Sequence, residues 1–191
     1  MRTTVAAIFD IGKTNRKFFL VDETYRIVHE TAEKGVEIAD EDGFPTEDLA
    51  TLQEFIRRNM ADAANMPAYS IKAVNVSAYG ASFVHVDDSG KPVTPLYNYL
   101  KPYPEGMDDA LYARYGGKDA FLARTASPPL GSLNSGLQLY RLKEQRPDVF
   151  RRIRHSYHLP QYLAALLHGQ PVSEMTSIGC HTALWDFDAW D

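Results

Sequence analysis

Cysteine is nearly absent: Cys180 is the one thiol in 191 residues. A single thiol closes no internal disulfide, and such usage fits a reducing compartment. Cys180 itself reads as a small buried hydrophobe. Long apolar runs are missing too. The stretch that follows Met1-Arg2-Thr3-Thr4 ends at Asp10, too soon for a signal peptide or a membrane span. A cytoplasmic protein with no membrane partner is expected. There is no basic surplus: Lys and Arg number 20 against 25 Asp and Glu, a net charge of −5. Nothing therefore draws the chain to a phosphate backbone, which argues against nucleic acid as a partner. Runs of like charge, internal repeats and low-complexity linkers are also lacking.

What remains is 45% hydrophobic and 24% charged, the composition of an ordinary globular fold. The length suits one sizeable domain, residues 1–191, with a real core. Val5 to Phe9 is a continuous apolar run ending in Asp10, a buried strand. Gly12 to Asn15 reads as a turn, Lys17 to Asp22 as a second strand, and Tyr25 to Thr31 as a third. Short turns between them predict an antiparallel meander. Pro45-Thr46-Glu47-Asp48 has the acids and hydroxyl of a helix start. Leu49, Leu52, Phe55, Ile56 and Met60 then share one face, and Met66-Pro67 closes the segment. Strands follow at Ile71 to Val76 and Phe83 to Val86, the latter ending in the turn Asp87 to Gly90. Pro92 to Leu130, rich in proline and tyrosine, reads as loops around one short helix near Gly106 to Tyr115. A helix runs from Leu137 to Gln145, capped by Asn134 or Ser135 and stopped by Pro147. Another spans Pro160 to His168, with Gly169 at its C-cap and Leu163, Leu166 and Leu167 facing inward. The order predicts an α/β domain: a mixed five-stranded sheet that opens with the meander and carries helices on its faces.

The segment Ile8-Phe9-Asp10-Ile11-Gly12-Lys13-Thr14-Asn15-Arg16-Lys17 carries the clearest chemistry. An acid ends a buried strand, a glycine and small polar residues turn the chain, and a second strand leaves. This suits a nucleotide phosphate with magnesium. Asp10 is a hard oxygen ligand for Mg²⁺ and the candidate catalytic residue. Gly12 admits a phosphate close to the backbone. The turn's N–H groups, Thr14 and Asn15 are donors, and Lys13 and Lys17 add positive charge. A plain hairpin, in which Asp10 and Asn15 merely favour the turn, fits the same residues. A P-loop does not, because Ala7 stands where its first glycine belongs and no helix follows Thr14. His155, His158 and His181 with Cys180 are too few and too scattered for a zinc site. The aromatics between Tyr97 and Tyr115 suit loop packing better than base stacking.

The opening segment resembles the first phosphate motif of the actin-like ATPase superfamily, and within it the FGGY sugar kinases, whose motif reads Asp-x-Gly-Thr-Thr-Ser-x-Lys. Lys13 departs from it, standing where a small hydroxyl residue is usual. Ala73 to Gly80, followed by Phe83 to Pro92, resembles that family's strand, substrate loop, strand and Asp-x-x-Gly turn. Leu137 to Ile153 is similar to its helix of the form Leu-x-Trp-Leu-Lys-Glu-x-x-Pro-Glu-x-Phe. Leu159 to Leu163, Gly169 and Thr182 to Asp186 match in type and order.

The resemblance implies a ribonuclease-H-like lobe, ATP, Mg²⁺ and transfer of the γ-phosphoryl group to a sugar hydroxyl, a ketose or a polyol. It places the base and the adenosine site in a C-terminal lobe that this chain, ending at Trp190-Asp191, does not contain. The chain is expected to be a fragment of a longer protein and inactive alone. Xylulose-kinase-like members have Gln-Met-His-Gly where this chain has Tyr79-Gly80-Ala81-Ser82, and Trp-Asn-Asp-x-Arg where it has Tyr97 to Lys101. The usual His, Asp and Arg are thus replaced. Tyr79, Asn98, Lys101 and Asn134 are the resulting candidates for sugar contact. Other readings stay open: a non-catalytic sugar-binding or regulatory lobe, another enzyme of the superfamily, and an assembly domain.

Overall fold

The computed structural model describes residues 1–189. The chain end at 190–191, read above as the handover to a second lobe, lies outside the described residues. Three strands open the fold: β1 (Thr3–Ile11), β2 (Asn15–Asp22) and β3 (Ile27–Lys34). β1 pairs antiparallel with β2, and β2 with β3, giving the expected meander. The third strand starts later than its sequence pattern suggests. Tyr25 has φ 62° and belongs to a tight turn, in which the Asp22 carboxylate accepts from the N–H groups of Thr24 and Arg26.

A small hairpin follows, β4 (Glu37–Ala39) with β5 (Pro45–Glu47), and then α1 (Leu49–Ala64). Pro45 to Glu47, expected at a helix start, is strand. Asp48 alone caps α1, its carboxylate accepting from the N–H of Ala50 at 2.8 Å and of Thr51 at 3.4 Å. Glu47 instead points into a buried ion pair, and that tertiary bond overrides the local preference. β6 (Tyr69–Ala78) returns parallel to β1, so the main sheet runs β3-β2-β1-β6.

β1 alternates cleanly. Val5, Ala7, Phe9 and Ile11 are buried, with Phe18 and Leu20 of β2, against Leu52, Phe55 and Ile56 of α1 and Leu159 and Leu163 of a later helix. The Phe9 ring lies 4.8 Å from Phe18 and 6.2 Å from Phe55, centroid to centroid. The even positions put Asp10 on the other face, beside Lys17 and Ser77 in register.

Five strands were expected in one mixed sheet, and the described residues put four there. β7 (Phe83–Val86) pairs with β8 (His155–His158) in a separate ribbon, so the outer edge of β6 has no strand partner among the described residues. Between them come α2 (Asp109–Arg114), α3 (Lys118–Arg124), α4 (Ser135–Gln145) and α5 (Pro147–Phe150). α3 falls where loop was expected, and β8 lies in a stretch to which the sequence pattern assigned no element. α6 (Leu159–His168) ends at Gly169 with φ 72°, the left-handed C-cap its sequence signals. α7 (Met175–His181) follows, and its Cys180 is exposed rather than buried. No described helix is long and apolar enough to cross a membrane.

Candidate functional site

The turn between β1 and β2 is closed by one bond, from the Gly12 N–H to the Asn15 carbonyl at 2.9 Å. A Cβ on Gly12 would sit 3.2 Å from that same oxygen, so the tight turn favours glycine. The N–H groups of Lys13 and Thr14 donate to no protein acceptor among the described residues. Asp10 is exposed at the end of β1 and makes no ion pair among them. Unpaired donors beside a free carboxylate suit an anion together with a hard cation. The expected residues Asp10, Gly12, Lys13, Thr14, Asn15 and Lys17 are therefore neighbours around one turn.

Tyr79 joins them. Its N–H donates to the Ile11 carbonyl at 3.1 Å, which ties the loop after β6 to the β1–β2 turn. The Lys13 Nζ lies 5.5 Å from the Tyr79 ring centroid and 5.6 Å from that of Tyr99. The Tyr79 hydroxyl donates to Glu47 Oε2 at 2.6 Å. Burial, reinforced by the Glu47 charge, pushes this phenol well above its ordinary range.

Beneath the turn, Arg16 is fully buried and its Nε donates to Glu47 Oε1 at 3.0 Å. Its Nη2 donates to Thr51 Oγ1 at 3.0 Å, and Nη1 reaches Glu33 at 3.5 Å. Charge taken this far out of water must be paired and hydrogen-bonded. The site thus hangs on Arg16 and Glu47, and on Tyr99. Sequence reading passed over all three, because their partners lie tens of residues away.

The loop from Tyr79 to Ser82 is pinned at each residue. Gly80 faces the His181 imidazole so closely that any Cβ would collide with it. Ala81 has φ 60°, unusual for a residue with a side chain, and its carbonyl accepts from Gln138 Nε2 at 2.9 Å. The Ser82 hydroxyl donates to the Tyr97 carbonyl at 3.1 Å.

The other sugar-contact candidates sit apart from this turn, with polar atoms taken up by protein. Asn98 donates to the Pro45 carbonyl at 2.9 Å and accepts from the Leu100 N–H at 3.0 Å. The buried Lys101 ammonium meets Asp40 at 2.5 Å and Asp42 at 2.6 Å. Asn134 holds the N-cap position of α4, yet its side chain accepts from the Leu130 N–H at 2.7 Å instead of from the helix. The Ser135 hydroxyl bonds His158 Nε2 at 3.0 Å. A cavity of about 500 Å³ lies elsewhere, between α2, α3, α4 and residues 184–189.

The sequence profile of the FGGY family of carbohydrate kinases, N-terminal domain, matches residues 5–189. Rhamnulokinase of Halalkalibacterium halodurans is 25% identical over 122 residues, which cover 61% of this chain and 26% of that protein. Rhamnulokinase of Yersinia pestis is 26% identical over 153 residues, 77% of this chain and 31% of that one. Among solved structures, a carbohydrate kinase from Novosphingobium aromaticivorans superposes with a TM-score of 0.80 at 28% identity, covering 97% of this chain and 38% of its own. Xylulose kinase of Rhodospirillum rubrum gives a TM-score of 0.81 at 21% identity, a likeness of fold alone. The chain thus spans less than a third of the length of these curated relatives.

Proposed function

Because this chain belongs to the FGGY family of carbohydrate kinases, as its N-terminal domain, we propose that it forms the phosphate- and sugar-facing half of an ATP- and Mg²⁺-dependent sugar kinase. The observation that carries the proposal is the β1–β2 turn. Two N–H donors without acceptors stand there beside an exposed Asp10 that is unpaired among the described residues. Asp10 holds magnesium, directly or through water, and the turn from Gly12 to Asn15 holds the nucleotide phosphates. Lys17, in register with Asp10, adds charge. Bound magnesium supplies neutralisation of phosphoryl charge.

The sugar lies against the loop at Tyr79, with Asn98, Lys101 and Asn134 shaping the wall behind it. The carboxylate base and the adenosine pocket belong to a C-terminal lobe, so residues 1–191 alone turn nothing over. This half-site is a surface that becomes a cleft only when a second lobe closes on it.

The test is ATP-dependent phosphorylation of a panel of ketoses and polyols by the full-length protein. Asp10→Asn is expected to lower kcat by at least ~100-fold, the scale of losing electrostatic stabilisation of the transition state. Full-length protein that phosphorylates no sugar, or an Asp10→Asn variant as active as wild type, would overturn the reading. The non-catalytic sugar-binding lobe would then be the better account.

A further inference from the structure

We propose that the sugar acceptor is anionic, a sugar acid whose carboxylate meets the Lys13 ammonium beside the rings of Tyr79 and Tyr99. This rests on the kinase reading above and names its substrate class. Lys13 has two parts with different surroundings. Its backbone belongs to the phosphate turn, while its ammonium has swung toward the loops after β6. There it lies 5.5 Å and 5.6 Å from two ring centroids that are themselves 6.1 Å apart. Those distances are within reach of the attraction between a cation and an aromatic face.

Most charges nearby close on one another, Asp10 and Lys17 of the turn itself excepted. Arg16 and Arg58 meet Glu33 and Glu47. Lys101 and Arg141 meet Asp40 and Asp42, and Arg146 meets Glu41. Lys13 has no carboxylate among the described residues. Two π faces steady the ammonium without neutralising it and leave N–H donors for an incoming group. One of the two rings is held firmly as well. The Tyr79 hydroxyl is held by Glu47, and Glu47 by the buried Arg16. An anion therefore meets a charge already in place and bears little of the cost of ordering it. A neutral polyol gains no Coulomb attraction there, whereas a carboxylate forms a charge-assisted hydrogen bond in a partly dry setting.

The experiment uses the full-length protein with ATP and matched pairs of aldonates and alditols. Wild type is expected to prefer the acid by at least ~10-fold in kcat/KM, the worth of about 1.4 kcal/mol of added attraction. Lys13→Met, which keeps the stem against the rings, collapses that ratio toward one, and Lys13→Arg keeps most of it. Equal use of acid and alditol, or a preference that survives Lys13→Met, overturns the proposal while phosphorylation of the alditols leaves the kinase reading standing. If no sugar is phosphorylated, the kinase reading fails, and saturation-transfer NMR of the aldonate decides the rest. Binding lost in Lys13→Met supports the Lys13 site, and no aldonate binding overturns it.

Discussion

Arg16→Met is the sharpest probe of how the fold holds its site. The substitution keeps an unbranched, flexible side chain and removes the cation. Glu47, 4% exposed, then loses its contacts to Arg16 at 3.0 and 2.9 Å and keeps the single hydroxyl of Tyr79. The Thr51 hydroxyl loses its donor as well. Stranding one member of a buried pair costs about 3–5 kcal/mol. For a chain of this size that corresponds to a fall in Tm of roughly 6–20 °C, at ~2–4 °C per kcal/mol. It is also a large share of the ~5–15 kcal/mol that typically separates folded from unfolded. Urea unfolding followed by circular dichroism measures the loss, with the m-value expected to stay unchanged. The double variant Arg16→Met/Glu47→Leu removes both charges and is expected to recover most of the loss, since an apolar pair can replace a buried ion pair at little cost. A loss under about 1 kcal/mol for Arg16→Met would refute the reasoning, because it would mean that Glu47 finds water as readily as it finds Arg16.

Gly80→Ala drives a methyl into the His181 ring and is expected to cost about 1–3 kcal/mol; thermal melts measure it, and hydrogen exchange should show α7 loosened before α1. Burial lowers His85 to about 3, and burial together with the neighbouring His181 lowers His158 to about 4. The unfolded chain therefore binds more protons below pH 6.5, and stability present above that pH is lost as pH falls toward 4, by about 1.4 kcal/mol per pH unit for each histidine. Urea midpoints measured from pH 7 to pH 5 should show this trend, to which His181, also lowered by burial, adds, and His85→Leu should make it shallower whatever it does to stability at pH 7. Val74, 41% exposed on β6 at the edge of the sheet that has no strand partner among the described residues, invites pairing with another strand. Val74→Lys is expected to reduce self-association at high concentration, as read by light scattering, with little change in Tm.

The meander, the Gly169 cap and the apolar face of α1 were legible because each is a local pattern. The run Val5 to Phe9, the left-handed glycine and the spacing of Leu49, Leu52, Phe55 and Ile56 all act within a few residues. Pro45 to Glu47 misled for the opposite reason: its helix-start composition is local, while the bond that fixes Glu47 crosses 31 residues to Arg16. α3 and β8 were illegible because the tyrosine- and proline-rich middle has weak periodicity, and β8 exists only through its pairing with β7.

Local sequence patterns carry the acid-ended strand, the tight turn with its glycine, and the resemblance to sugar kinases that the family match bears out. These depend on the order of residues along the chain. Tertiary structure alone decided that Tyr79 and Tyr99 stand beside Lys13, that Arg16 and Glu47 bury their charges beneath the turn, and that Asn98 and Lys101 spend their polar atoms on the protein. The physical reason is distance along the chain. Buried charges and aromatic faces act over a few ångströms in space, and which residues come that close is settled by the packing of sheet against helices.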